Sequence, residues 1–122
     1  NPSPDKNLNL LQFWIVPDQS AAEPSYQSSR IQLKDGATLL ISPDGRDNSL
    51  QIRQQLFLYQ LKLNNTSRGL PASDNGFMHV LKGEVELNGS YLQTGDAAVI
   101  EDEPFLSLRS LGRAEVLYFA LP

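Results

Sequence analysis

Residues 84–93 read Glu84-Val85-Glu86-Leu87-Asn88-Gly89-Ser90-Tyr91-Leu92-Gln93, two short alternating runs around an Asn-Gly pair. Asn-Gly supplies the two positive φ values that a type I′ turn demands, so the spacing predicts a β-hairpin with a two-residue loop. Such a loop fixes the register: Leu87 faces Ser90, Glu86 faces Tyr91 and Val85 faces Leu92. Val85 and Leu92 then point inward, while Glu86 and Tyr91 share the outer face. A slip of one residue would turn both glutamates into the core.

Outward from this hairpin, turn chemistry recurs at Asp35-Gly36, Pro43-Asp44-Gly45, Asn64-Asn65, Asp74-Asn75-Gly76, Lys82-Gly83, Gly95-Asp96 and Leu111-Gly112. The intervals suit strands rather than helices. Leu106-Ser107-Leu108-Arg109 again alternates with a period of two, and no window carries a convincing helical period. Between Leu56 and Leu63, Phe57, Tyr59, Leu61 and Leu63 share one face and Leu56 and Leu58 the other, so one end of this strand is buried on both sides. The run Val116 to Leu121 is apolar on both faces, as a central strand requires. At the start, LNLLQFWIVP (Leu8 to Pro17) is too short to span a bilayer and reads as a buried strand. Residues 17–36 lack a clear period and read as a covering loop with one short strand near Arg30 to Leu33. The expectation is an all-β barrel or sandwich without a helix longer than about two turns.

Composition bounds the function. A chain of 122 residues has room for one domain. Its 40% hydrophobic content belongs to ordinary globular proteins. The net charge of −4, without a basic cluster, argues against nucleic acid and anionic membranes as partners. With no cysteine, the chain has no disulfide, thiolate nucleophile or zinc ribbon, and it suits a reducing compartment; we read it as cytoplasmic. No Gly-x-Ser-x-Gly elbow or glycine-rich phosphate loop is present.

The residues with chemistry to offer are few. His79 is the only histidine, and the alternation through Met78, His79 and Val80 turns it away from the interior. Glu101-Asp102-Glu103 lacks the alternate spacing of a calcium loop and reads as a solvated turn. The sequons Asn64-Asn65-Thr66 and Asn88-Gly89-Ser90 read as turns.

Two sets of residues carry a resemblance. MHVLKGEVELNGSYLQTGD (Met78 to Asp96) is similar to the core hairpin of cupins. LQFWIVPD (Leu11 to Asp18), PSYQ (Pro24 to Gln27), SPDGRDNSLQIRQ (Ser42 to Gln54) and the closing VLYFALP resemble the C-terminal half of pirin-like bicupins, a family that includes quercetin 2,3-dioxygenases. The resemblance implies a cupin-type double-stranded β-barrel, jelly-roll-like, over residues 37–122. Residues 1–36 would then be an N-terminal strand and covering loop or linker from a preceding barrel, with Asn1-Pro2-Ser3 following that barrel's last metal ligands.

The same resemblance marks departures. A metal-bearing cupin would place two histidines around Leu70 to Ala72, a glutamate near Gly76 and a third histidine near Leu106, and none of these residues is a ligand. Arg53-Gln54-Gln55 stands where many relatives carry His-Gln-Asp. The resemblance therefore implies no catalytic, cofactor-binding or metal-ligating residue in this chain; a transition metal is expected only in the upstream barrel, which is the expected partner. Phe13, Trp14, Phe77 and His79 are the candidate interdomain surface, through which an isolated chain would self-associate weakly as a homodimer. The alternatives are an independent barrel binding a small apolar ligand around Met78, Val80, Val85, Leu92 and Leu106, and an enzyme using a carboxylate pair.

Overall fold

The computed structural model describes residues 11–15, 27–71 and 74–122. Among the described residues ten strands form: β1 (Gly36–Ser42), β2 (Leu50–Gln51), β3 (Phe57–Asn64), β4 (Ser67–Gly69), β5 (Asn75–Lys82), β6 (Glu84–Leu87), β7 (Ser90–Gln93), β8 (Ala97–Glu101), β9 (Ser107–Ser110) and β10 (Arg113–Leu121). The only helical turn among the described residues is a 3-10 turn at Arg46–Asn48, and among those residues no helix is long and apolar enough to cross a membrane.

The predicted hairpin forms in the predicted register. Asn88 and Gly89 have φ of 47° and 86°, and Val85 pairs with Leu92, Glu86 with Tyr91 and Leu87 with Ser90. Val85 is fully buried and Tyr91 exposed. Asn88 does more than turn the chain. Its backbone N–H donates to the Ser107 carbonyl (2.9 Å), its Nδ2 to the Phe105 carbonyl (2.9 Å), and its Oδ1 accepts from the Ser107 N–H (2.8 Å).

This hairpin is the tip of a longer ribbon folded back on itself. Antiparallel pairs nest outward from Asn88-Gly89 as β6–β7, β5–β8, β4–β9 and β3–β10. Successive rungs fall alternately in a four-stranded sheet, ordered β4-β9-β6-β7, and a six-stranded sheet, ordered β2-β1-β3-β10-β5-β8. A ribbon rolled in this way is a jelly roll, which hides most of its edges by facing two sheets together.

Leu61, Met78, Val80, Val85, Leu108, Val116 and Tyr118 fill the space between the sheets, each at most 1% exposed. A second apolar cluster lies on the outer face of the six-stranded sheet, with Leu56, Leu58, Leu117 and Phe119 buried and Ile15, Leu40, Ile41, Ile52, Phe77, Leu81 and Leu121 partly buried. The two-faced patterns at Leu56 to Leu63 and Val116 to Leu121 follow from this arrangement: β3 and β10 lie in the middle of the sheet and feed both clusters.

Two expectations fail. Residues 11–15 join neither sheet, and Leu11, Phe13 and Trp14 are exposed; the rest of the expected strand from Leu8 to Pro17 lies outside the described residues. The segment sits across the sheet's outer face, its Phe13 ring edge-on to Phe119 with centroids 4.8 Å apart. The strand near Arg30 to Leu33 does not form either. Gln27 satisfies the backbone of Gln51 with its side chain, Nε2 donating to the Gln51 carbonyl (3.2 Å) and Oε1 accepting from the Gln51 N–H (3.0 Å), so no ladder propagates from β2.

Candidate functional site

Of the positions where the resemblance would place a metal-bearing cupin's ligands, Pro71 is exposed and the other described ones lie in or against the core between the sheets. Leu70 and Leu106 are buried members of that core, and Gly76 is buried on β5. A side chain built at Gly76 would begin 3.3 Å from both Ile100 and the Tyr118 ring, so this part of the interior is already occupied. Ala72 lies outside the described residues. None of these residues offers a nitrogen or oxygen side-chain donor, and among the described residues no three histidines, aspartates or glutamates come together. The residues present do not fit a transition-metal ion there.

The acidic triplet is the solvated turn expected: Glu101, Asp102 and Glu103 are all exposed. His79 projects from β5 on the face opposite Met78 and Val80, half-buried, with Leu117 and Ala97 as its cross-strand partners. It therefore shares the sheet's outer face with Phe77 and Leu81, as the alternation predicted.

On that outer face the structure brings together three of the four candidate surface residues. Phe13, Trp14 and Phe77 line one apolar cleft of about 240 Å³ with Ile15, Leu56, Phe119 and Leu121. Phe77 meets Phe119 edge-on at 5.9 Å. His79 is on the same face but does not line the cleft. Trp14 is 90% exposed, an uncommon position for the largest apolar side chain.

The SPDGRD segment makes a tightly determined turn. Asp44 accepts from Arg46 Nε (3.0 and 3.1 Å), Arg46 Nη2 (2.9 Å) and the Arg46 backbone N–H (3.1 Å). These hydrogen bonds hold its carboxyl at a pKa of about 2. Below it the buried Ser42 and Ser49 hydroxyls share a 2.7 Å hydrogen bond, and Ser49 donates to the Arg46 carbonyl (2.6 Å). Gly45, Asp47 and Asn48 all have positive φ, and the Arg46 guanidinium lies over the Phe57 ring, 5.3 Å from its centroid. Arg53 and Gln55 are exposed in the bend that follows.

Two facing sheets closed by a nested ribbon define a cupin-type barrel. The chain belongs to the family of quercetinase C-terminal cupin domains, whose profile matches residues 39–121. Over its whole length it is 36% identical to a quercetin 2,3-dioxygenase of Escherichia coli K12, covering 54% of that protein, and 31% identical to the pirin-like protein YhaK of the same bacterium, covering 55%. The crystal structure of YhhW from Escherichia coli superposes with a TM-score of 0.85 at 34% identity, over 89% of this chain and 48% of that one. The same bacterial pirin has also been solved in complex with nickel(II), with a TM-score of 0.83. The chain thus spans about half the length of the curated relatives it matches.

Proposed function

We propose that this chain is the non-catalytic C-terminal half of a two-barrel pirin-like protein, and that any quercetin 2,3-dioxygenase chemistry belongs to an N-terminal barrel with its own transition metal. The observation that carries the reading is the apolar filling at Leu70, Gly76 and Leu106, where a cupin's metal chemistry would be housed. A barrel that holds no ligand set at those positions serves as a wall and a scaffold.

The outer face of the six-stranded sheet is where we place the partner barrel. Phe13, Trp14 and Phe77 converge there over Phe119, and His79 stands at the margin of the same face. A contiguous apolar surface rimmed by polar residues marks an interaction site, and the relatives' additional length supplies the occupant. Two copies of the isolated chain would pair weakly through the same face.

The test combines elemental analysis with sedimentation. The purified chain should carry well under one equivalent of iron, nickel, copper or manganese, and should form a heterodimer when the N-terminal barrel encoded with it is added. Complex formation should shift Trp14 fluorescence to the blue. One tightly held metal ion that is lost in His79→Ala would overturn the non-catalytic reading. Failure of the two barrels to associate, with Trp14 fluorescence unmoved, would overturn the interdomain surface.

A further inference from the structure

A second concavity lies away from the outer-face cleft, on the inner side of the six-stranded sheet beside the paired strands β1 and β3. It has a volume of about 850 Å³, within the range of small-molecule sites, and is lined by residues from the 29–34 segment, β1, the Arg46–Asn48 turn and β3. The aromatic rings of Phe57 and Tyr59 form its floor. Tyr59 is backed by Tyr118, whose ring is inclined to it by only 19° with centroids 6.2 Å apart. Tyr118 is itself fixed by donating to the Pro71 carbonyl (2.7 Å).

Both walls are held in place. The 29–34 wall is pinned at one end by the paired hydrogen bonds of Gln27 to Gln51, and at the other by the Lys34 N–H donating to Thr38 Oγ1 (3.2 Å). The opposite wall carries Asp47 and Asn48, at φ of 55° and 62°, a conformation that costs a non-glycine residue about 1–3 kcal/mol. The Asp44–Arg46 ion pair and the Ser42–Ser49–Arg46 hydrogen bonds keep it there. Walls fixed before binding reduce the ordering cost of capturing a ligand.

The chemistry of the lining is specific. Arg30 and Lys34 face the cavity and make no ion pair with any described residue. Arg46 is matched by Asp44, and Asp47 is the one carboxylate on the lining, so the cavity is net positive in a chain whose charge is −4. Tyr59 makes no hydrogen bond to a described residue, and burial beside Tyr118 raises its phenol above the ordinary tyrosine range. At neutral pH its hydroxyl therefore keeps its proton and is a hydrogen-bond donor with no acceptor among the described residues.

We propose that this cavity binds a small planar aromatic carboxylate, its ring against Tyr59 and Phe57 and its carboxylate held by Arg30, Lys34 and the Tyr59 hydroxyl. The inference does not depend on the interdomain reading, since the two surfaces lie on opposite faces of the sheet and share no lining residue. The probe is 2-naphthoate, with uncharged 2-naphthamide as its near-isostere, titrated into the 122-residue chain at low salt and followed by amide chemical shifts. Saturable binding of naphthoate is expected, with shifts confined to residues of the two walls and of β1 and β3. Naphthamide, and naphthoate with Arg30→Gln/Lys34→Gln, should each bind about 10-fold more weakly, and Tyr59→Phe should keep the ring but weaken naphthoate about 3-fold or more. Arg30 and Lys34 are exposed, so their variants should keep the fold, with an unchanged circular dichroism spectrum as the control. Equal affinity for the two probes, unchanged affinity in the double variant, or shifts centred outside this cavity would each overturn the proposal, as would the absence of saturable binding.

Discussion

Gly83 and Gly89 both sit at positive φ, 89° and 86°, yet they are needed for different reasons. A Cβ at Gly89 would meet nothing within 4 Å, so Gly89→Ala should cost only the conformational penalty of the left-handed region, about 1–2 kcal/mol. A Cβ at Gly83 would collide with the Arg113 carbonyl oxygen and the backbone of Ala114, which cannot yield without parting β10 from β5. Gly83→Ala should therefore cost about 3 kcal/mol or more, read as the difference in urea midpoints between the two variants. Asp44 gives a second residue-scale prediction. Its carboxyl should titrate near pH 2 by NMR and move toward the ordinary 3.8 in Arg46→Gln. Because the folded pKa is depressed, the associated stabilisation is complete above about 3.8 and is lost as pH falls through about 2. Asp44 lies at the exposed surface, so the effect on global stability should be small and the titration itself is the measurement.

Elements whose reasons are local were legible in the sequence. The hairpin register follows from Asn88-Gly89 alone, and the two-faced character of β3 and β10 follows from their apolar patterns. The segment 11–15 was misread because apolar composition predicts burial without naming the partner. Leu11 to Ile15 has no place in the sheet order: β2 already flanks β1 at that edge, and the segment lies across the face instead. Of the interdomain candidates, Phe13, Trp14 and Phe77 came together; His79 was placed correctly on the face but not in the cleft. The lateral cavity was not legible, since it joins Arg30, Arg46 and Tyr59 from three separate stretches, and no spacing in the chain announces that meeting. The packing of segment 11–15 is open to measurement. Phe119→Ala should cost about 3–5 kcal/mol by opening the outer cluster, whereas Phe13→Ala, at a residue 41% exposed, should cost about 1 kcal/mol. A loss on Phe13→Ala as large as that on Phe119→Ala would mean that the segment is an integral layer of the fold rather than a cover.

At the scale of the whole molecule, the barrel carries two unlike surfaces, an apolar cleft on the outer face of the six-stranded sheet and a cationic cavity on the opposite side of the same sheet. The nested ribbon that builds both has a consequence for how the chain finds its structure in time. Only the two-residue loop at Asn88-Gly89 is cheap to close, and the outermost rung joins Asn64 to Arg113 across most of the barrel. Each rung shortens the loop that the next must close, so assembly should run from the tip outward, and a topology so dominated by distant pairings should fold in milliseconds to seconds. Asn88 binds the tip to Ser107 and Phe105, which belong to the returning arm, and so joins the first step to the third. Asn88→Ala should accordingly slow refolding in stopped-flow measurements, while Phe119→Ala should act mainly by speeding unfolding. The order in which the ribbon closes would then be written in the same Asn-Gly pair that sets its register.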